Sequence, residues 1–471
     1  LRCLVGSEMC IRDRFILYTC CILLFPVSAQ QIPSFKANDR IVFLGNSITE
    51  GGHYHSYIWL YYMTHFPELP LRIYNGGIGG DCASHMVFRF DSDIKIKKPT
   101  YLVCSFGMND SGYDGYNKPG YDKYANKQVE YANTEFGKLQ QQILADKKIK
   151  NVVLLGSSPY DENVKLEGVE TLHGKNETIK RIIEMQAEVA QKRGWGFVNF
   201  NTVMCELNKE IQQSDSTATF CGGDRIHPDK DGHMVMAYLF LKAQGLAGKE
   251  VAYFHINATN RKAMEERNCR ITHIKNENDT ISFSYLSRSL PFPVDTIPRW
   301  GTKGTARDAV RQVPFMQEMN QEIMKVTDLH GNFRVTIDGT EIGRWDGNEL
   351  SKGINLAEIT CTPQYQQSLS IMYLNEERCA IEKRLRQYMA MQYVFFKHRG
   401  LLFADNKAAL DAAKAERESH YLVKYLYTNY TQAMFPQIRE AWQAEIDQLI
   451  TQIYKINKPL TRLIKIERIK E

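Results

Sequence analysis

Four short blocks carry the residues able to do chemistry: Gly45-Asn46-Ser47-Ile48-Thr49, Gly79-Gly80-Asp81, Gly107-Met108-Asn109-Asp110 and Asp224-Arg225-Ile226-His227. Ser47 follows an apolar run, Arg40 to Leu44, and opens a Gly-bracketed turn. That position exposes a hydroxyl at the carboxyl end of a strand, where open α/β sheets hold their ligands. A serine hydroxyl needs a base, and Asp224-x-x-His227 offers an imidazole with a carboxylate placed to fix its tautomer. The expected chemistry is acyl transfer. Ser47 attacks a carbonyl, His227 carries the proton and Asp224 orients the ring. The backbone amides of Ser47 and Gly80, with the side-chain amide of Asn109, are expected to hold the oxyanion.

Together Ser47, Gly80, Asn109 and His227, each in its own block, resemble the SGNH (GDSL-like) hydrolase family over roughly residues 38 to 245. The first block departs from the usual Gly-Asp-Ser-Leu, reading Gly45-Asn46-Ser47-Ile48, and keeps the serine. The resemblance implies a three-layer α/β/α hydrolase with a flavodoxin-like strand order, acting on esters or thioesters with no metal or organic cofactor.

Neighbouring residues have blander readings. Ser47 could itself cap a helix. His233 lacks an aspartate three residues upstream, where Lys230 stands, so His227 is the preferred base. His53 and His55 follow the nucleophile turn as loop residues, His53 being a candidate substrate contact. Asp81 reads as a helix cap and Asp110 as a brace for the Asn109 loop. Tyr113, Tyr116, Tyr121 and Tyr124 crowd the segment after Asn109. Tyr113 and Tyr116 are candidate substrate contacts, because wet tyrosines stack on sugar rings.

The elements that must position these groups alternate between Asp39 and about Gly245. Five apolar runs read as strands: Arg40 to Leu44, Leu71 to Tyr74, Tyr101 to Phe106, Asn151 to Gly156 and Gly196 to Phe200. Helical spacing marks Tyr57 to Phe66, Lys127 to Leu144, Glu177 to Lys192 and His233 to Ala243. The pattern predicts a parallel sheet with helices on both faces. After Gly248 the texture turns β-rich, with strands at Ile281 to Leu286 and Phe333 to Ile337 and a hairpin through Asp338-Gly339 to Glu341-Ile342-Gly343. Beyond Thr362 helical periodicity returns, and Phe435, Ile438, Trp442, Ile446, Leu449 and Ile453 form a stripe read as core. The expected division is a leader at 1–29, a hydrolase domain at 30–250, a β-rich region at 251–360 and a helical region at 361–471.

At 471 residues the chain exceeds one typical core, and its 43% hydrophobic and 24% charged content is that of a globular protein. The net charge of +5 is concentrated in a tail holding Lys458, Arg462, Lys465, Arg468 and Lys470, read as a solvated terminus, so nucleic-acid binding is not expected. Residues Leu4 to Asp13 read as the translation of a sequencing adapter and are expected to be foreign to the protein. Phe15 to Pro26 is too short to span a bilayer comfortably, and Val27-Ser28-Ala29 fits a cleavage site before Gln30. A secreted or periplasmic protein is expected. Cleavage would remove Cys3, Cys10, Cys20 and Cys21 and leave seven cysteines without zinc spacing. Cys104, in a strand pattern, reads as a buried thiol.

The function expected is a secreted serine esterase removing acetyl or another small acyl group from a carbohydrate. The alternatives are a lipase, lysophospholipase or thioesterase, a glycan-binding protein on an inactive hydrolase fold, or a hydrolase carried as a passenger by the C-terminal half.

Overall fold

The computed structural model describes residues 31–298 and 304–469. The leader expected at 1–29 lies outside these residues, as does Lys470.

The five expected strands form one parallel sheet in the order β2-β1-β3-β4-β5, the flavodoxin-like order. They are β1 (Arg40–Gly45), β2 (Arg72–Gly77), β3 (Tyr101–Phe106), β4 (Asn151–Gly156) and β5 (Gly196–Asn199). Helices α1 (Ser47–Gly51), α2 (Tyr54–His65), α3 (Ala83–Arg89), α4 (Tyr121–Ala145), α5 (Lys175–Arg193), α6 (Phe200–Ile211) and α7 (Lys230–Ala243) connect and cover them. The continuous apolar runs follow from burial on both faces. In β1, Ile41 and Phe43 point into one core layer and Val42 and Leu44 into the other, and all four are fully buried. Helices α1 and α3 were foreshadowed in the sequence only by the capping readings of Ser47 and Asp81, and α6 went unread.

A second core lies between two further sheets. One has the order β13-β10-β6-β7 and the other β12-β11-β14-β9-β8. Their strands are β6 (Ala252–Asn257), β7 (Lys262–Arg267), β8 (Cys269–Glu277), β9 (Thr280–Ser287), β10 (Glu322–Thr327), β11 (Asn332–Ile337), β12 (Thr340–Asp346), β13 (Ile354–Asn355) and β14 (Arg462–Arg468). Short helices α8 (Ala306–Ala309), α9 (Phe315–Met319) and α10 (Gly347–Lys352) fill the connections. Helices α11 (Pro363–Ala390), α12 (Lys407–Ala415), α13 (Tyr421–Ala433) and α14 (Pro436–Ile456) then pack on the hydrolase.

The helical reading of 361–471 fails at its end, and so does the solvated tail. Strand β14 lies between β9 and β11, with Ile464 and Ile466 fully buried and Leu463, Lys465 and Glu467 on the other face. Basic residues hide the strand by composition, but alternation gives it one apolar face. The stripe of α14 also shifts. Trp442, Ile446, Ile450 and Ile453 are buried, whereas Phe435 and Ile438 are exposed and Leu449 only partly covered.

Helix α2 shows how closely the accessory helices are joined to the hydrolase: every one of its residues is buried. Trp59 Nε1 donates to Tyr454 Oη (3.2 Å), Asn375 Nδ2 to Ser56 Oγ (2.8 Å) and Asn457 Nδ2 to the Met63 carbonyl (2.9 Å). These three buried polar groups of α2 thus find partners hundreds of residues away, while His55 Nδ1 and Tyr61 Oη have no hydrogen-bond partner among the described residues.

Glu322 on β10 sits where three regions meet. Its Oε1 accepts from Tyr285 Oη (2.7 Å) and Gln364 Nε2 (3.0 Å). Among the described residues its Oε2 and the nearby Gln364 Oε1 have no hydrogen-bond partner. Burial pushes the carboxyl up to about 7 from 4.5. The native chain therefore keeps a proton that the unfolded chain releases between pH 4.5 and about 7, and stability falls as pH rises through that window. Glu322→Gln is expected to reduce that fall and to stabilise the protein above pH 7 by on the order of 3 kcal/mol. Asp231, pushed to about 7 chiefly by burial, titrates in the same window, so part of the slope remains. Urea midpoints of both proteins at pH 5 and pH 8 measure the difference.

Candidate active site

Ser47 is the first residue of α1, directly after β1. Asn46 rather than Ser47 caps the helix, its Oδ1 accepting from the Ile48 amide (3.0 Å). The asparagine that departs from the family pattern thus satisfies a helix-end donor and leaves the serine hydroxyl free for another partner.

That partner is His227, whose Nε2 lies 2.7 Å from Ser47 Oγ. On the other side of the ring, His227 Nδ1 is 2.5 Å from Asp224 Oδ2. The Asp224 Oδ1 accepts from the amides of Ile226 (3.0 Å) and His227 (2.9 Å). A proton on Nδ1 facing the carboxylate leaves Nε2 as acceptor for the serine. Burial works to raise the Asp224 pKa, but hydrogen bonds from the His227 ring and from both amides outweigh it and hold the carboxyl below its usual value. The side chains of His227 and Asp224 are 44% and 50% exposed, so a substrate reaches them from open solvent.

The turn carrying this pair is held by residues that the sequence did not single out. Arg225, buried and at φ +70°, donates through Nη1 to the carbonyls of Val164 (2.5 Å) and Asp161 (3.1 Å). Gly222 has φ +72°, and a Cβ there would stand 1.9 Å from the His227 carbonyl oxygen. A basic residue inside a catalytic-looking block was the available signal for Arg225.

Gly80 follows β2 with φ +80°, and a Cβ built on it meets nothing within 4 Å. The backbone conformation there favours glycine, and a Cβ would crowd no protein neighbour. Asn109 Nδ2 donates to the Asp81 carbonyl (3.0 Å), while its Oδ1 accepts from Tyr113 Oη (2.8 Å). The amide is thereby fixed in orientation, with one N–H left to aim elsewhere. Asp110 braces the loop as expected, accepting from the amides of Ala83 and Gly107, each at 2.8 Å. Lys175 is a second brace, unread in the sequence. Its Nζ donates to the carbonyls of Met108 (2.9 Å) and Gly112 (2.5 Å) and to Ser111 Oγ (2.6 Å), and burial lowers its pKa to about 7.

Other expectations are corrected. Asp81 does not cap α3, whose N-cap is Cys82; its carboxylate accepts from Arg89 Nε (2.6 Å). Tyr116 is buried, and its hydroxyl donates to the Ser111 carbonyl (2.7 Å), so it pins the loop and faces no substrate. Tyr113 is partly exposed beside Asn109. His55 is buried rather than a loop histidine, with a pKa lowered to about 4 chiefly by burial. His53 heads α2 with its ring 5.9 Å from Tyr57 and 5.8 Å from His233. His233 is buried and stacks on Tyr54.

Comparison with known proteins agrees with this architecture. Residues 43–235 match the GDSL-like Lipase/Acylhydrolase family, and residues 369–458 match the diltiazem deacetylase C-terminal helical domain. A gut microbial diltiazem-metabolizing enzyme of known structure is 48% identical, over 94% of this chain and all of its own, with a TM-score of 0.91. An acetylxylan esterase of Geobacillus stearothermophilus is 22% identical over 224 residues, which are 44% of this chain and 95% of that protein. The chain belongs to the SGNH (GDSL-like) hydrolase family and is a hydrolase of ester bonds.

Proposed function

We propose that the protein is a serine esterase that removes acetyl groups from a carbohydrate through an acyl-enzyme on Ser47. The observation that supports this most directly is the unbroken chain of contacts from Ser47 Oγ to His227 Nε2 (2.7 Å) and from His227 Nδ1 to Asp224 (2.5 Å). Ser47 Oγ gives its proton to His227 Nε2 and bonds to the ester carbonyl carbon. The charge developing on the carbonyl oxygen is met by the amides of Ser47 and Gly80 and by Asn109. Collapse breaks the bond to the alcohol oxygen, which takes the proton from His227 and leaves. Water, deprotonated by the same imidazole, then releases acetate and restores Ser47.

A small acyl group is favoured by the relative named for acetylxylan and by the match of residues 369–458 to the diltiazem deacetylase C-terminal helical domain. The test is hydrolysis of aryl esters with acyl chains from two to twelve carbons. Activity greatest on acetate and falling with length is expected. A long-chain optimum would move the assignment to a lipase or thioesterase, and no turnover by folded protein would favour a glycan-binding role.

Asn109→Ala is expected to lower kcat by about two to three orders of magnitude. Asp110 and Lys175 still hold the loop in this variant, so the circular dichroism spectrum should not change. We also propose secretion with cleavage after Ala29; an N-terminal residue other than Gln30 in the exported protein, read by mass spectrometry, would refute it.

A further inference from the structure

Beside the oxyanion loop, the accessory helices close a cleft that no catalytic role accounts for. Gly79 and Gly80 line one side of it, so the cleft borders the backbone proposed to hold the oxyanion. It is open to solvent and holds about 120 Å³. One wall is Phe88 on α3. The other comes from the helical region, with Tyr393, Lys397 and His398 after α11 and Tyr421 at the start of α13.

Local geometry is shaped toward this cleft from both sides. The backbone forms a π-helical turn at Phe90–Ile94, just after Phe88, and another at Met391–Phe396, which carries Tyr393. Such turns insert one residue into a helix, re-aim its side chains and recur at functional sites. The two are tied by Ser92 Oγ and Tyr393 Oη at 2.8 Å, and Phe88 meets Tyr393 edge-on at 6.2 Å. Phe88 and Tyr421 nevertheless remain 46% and 68% exposed. Lys397 Nζ lies 3.5 Å over the Phe88 ring and His420 stacks on Tyr421 at 5.1 Å, so each ring has one face taken and the other available to a ligand.

We propose that this cleft is the alcohol subsite and receives the pyranose ring of an acetylated sugar; the inference rests on Ser47 acting as the acetyl-ester nucleophile. The aromatic walls beside Gly80 present more ring surface than an acetyl group can cover, which leaves them to the alcohol half of the ester. The C–H face of a pyranose packs on Phe88 and Tyr421, while Lys397, His85 and His398 at the rim bond its hydroxyls. The helical region thus supplies part of the specificity, which the hydrolase domain alone lacks.

The experiment compares an acetylated methyl xylopyranoside, benzyl acetate and ethyl acetate on the full-length protein, wild type and Tyr421→Ala, Tyr421→Phe and Phe88→Ala. Tyr421→Ala and Phe88→Ala are expected to raise KM for the sugar acetate about tenfold, with kcat within about twofold and ethyl acetate unaffected; about tenfold corresponds to 1.4 kcal/mol of binding. Tyr421→Phe keeps the ring and should match wild type. Equal losses on ethyl acetate, no change on the sugar acetate, or a change on benzyl acetate alone would each overturn the proposal. If the wild type hydrolyses none of the three, the esterase reading fails. Titration of methyl xylopyranoside into Ser47→Ala then decides the subsite separately. Binding that Tyr421→Ala removes supports it, and no binding overturns it.

Discussion

Ser47→Ala is expected to lower kcat on acetate esters by at least about four orders of magnitude while leaving the protein as stable as the wild type. The loss is large because no other group on β1 or α1 presents a hydroxyl to His227, and a covalent step cannot be replaced by binding alone. Stability is spared for a specific reason: the N-cap bond comes from Asn46, and alanine is a good residue for the first turn. His227→Ala should cost about as much. The double variant Ser47→Ala/His227→Ala should cost hardly more, since residues acting as one unit are not additive. Mass spectrometry after a fluorophosphonate provides an independent readout. Wild type should gain one adduct on the Ser47 peptide, and Ser47→Ala should gain none. Residual turnover within about tenfold of wild type would exclude an acyl-enzyme on Ser47.

Asp93→Ala should cause the largest loss of stability available to a single substitution near the site, about 3–5 kcal/mol. Asp93 is fully buried among three cations. Arg386 Nη1 and Nη2 donate to its two oxygens (2.8 and 2.9 Å), Arg89 Nη1 at 2.5 Å and Lys97 Nζ at 2.5 Å. Removing the carboxylate leaves Arg386 and Lys97 buried without it, which costs far more than the pair contributed. Burial would raise the Asp93 pKa, but Arg386, Lys97 and Arg89 hold it well below 3.8. Its contribution is therefore present in full above pH 3.8 and is lost as pH falls through the lowered value, so the deficit of the variant should shrink in strong acid. Urea denaturation at pH 7 and at pH 2 tests both statements. Asp93→Leu/Arg386→Met, which removes charge from both sides, should recover part of the loss. Equal midpoints for wild type and Asp93→Ala at pH 7 would show that the network contributes nothing.

The same network reaches the catalytic loops, so activity should fall with stability in Asp93→Ala. Arg386, on α11, also donates to the Gly77 carbonyl (3.0 Å). Arg89 donates to the carbonyls of Gly45 (3.2 Å) and Gly76 (2.7 Å), and its Nε holds Asp81, whose carbonyl orients Asn109. Through Arg386 the C-terminal half thus supports the Gly77 and Asp93 segments of the hydrolase directly.

The sequence by itself determined the parallel sheet and the four blocks at its edge. A strand buried on both faces must be apolar throughout, and groups that do chemistry must be of particular types next to particular turns, so both leave local marks. Lys127 to Leu144 and Glu177 to Lys192 were legible because one face of each helix meets solvent and the other the core. What only the tertiary structure decided depends on partners far along the chain. Helix α2 was legible as Tyr57 to Phe66, but its burial on every side is decided by the accessory helices that cover it. Strand β14 reads locally as a basic tail and becomes a central strand only because β9 and β11 flank it, more than 100 residues earlier. Arg89 and Asp93, four residues apart on one helical stretch, and Arg386, nearly 300 residues later, are ordinary charged residues, and their joint arrangement exists only once α11 has packed against the hydrolase. Periodicity and motif record what a residue does with its neighbours in sequence; charge pairing and cleft walls record what it does with its neighbours in space.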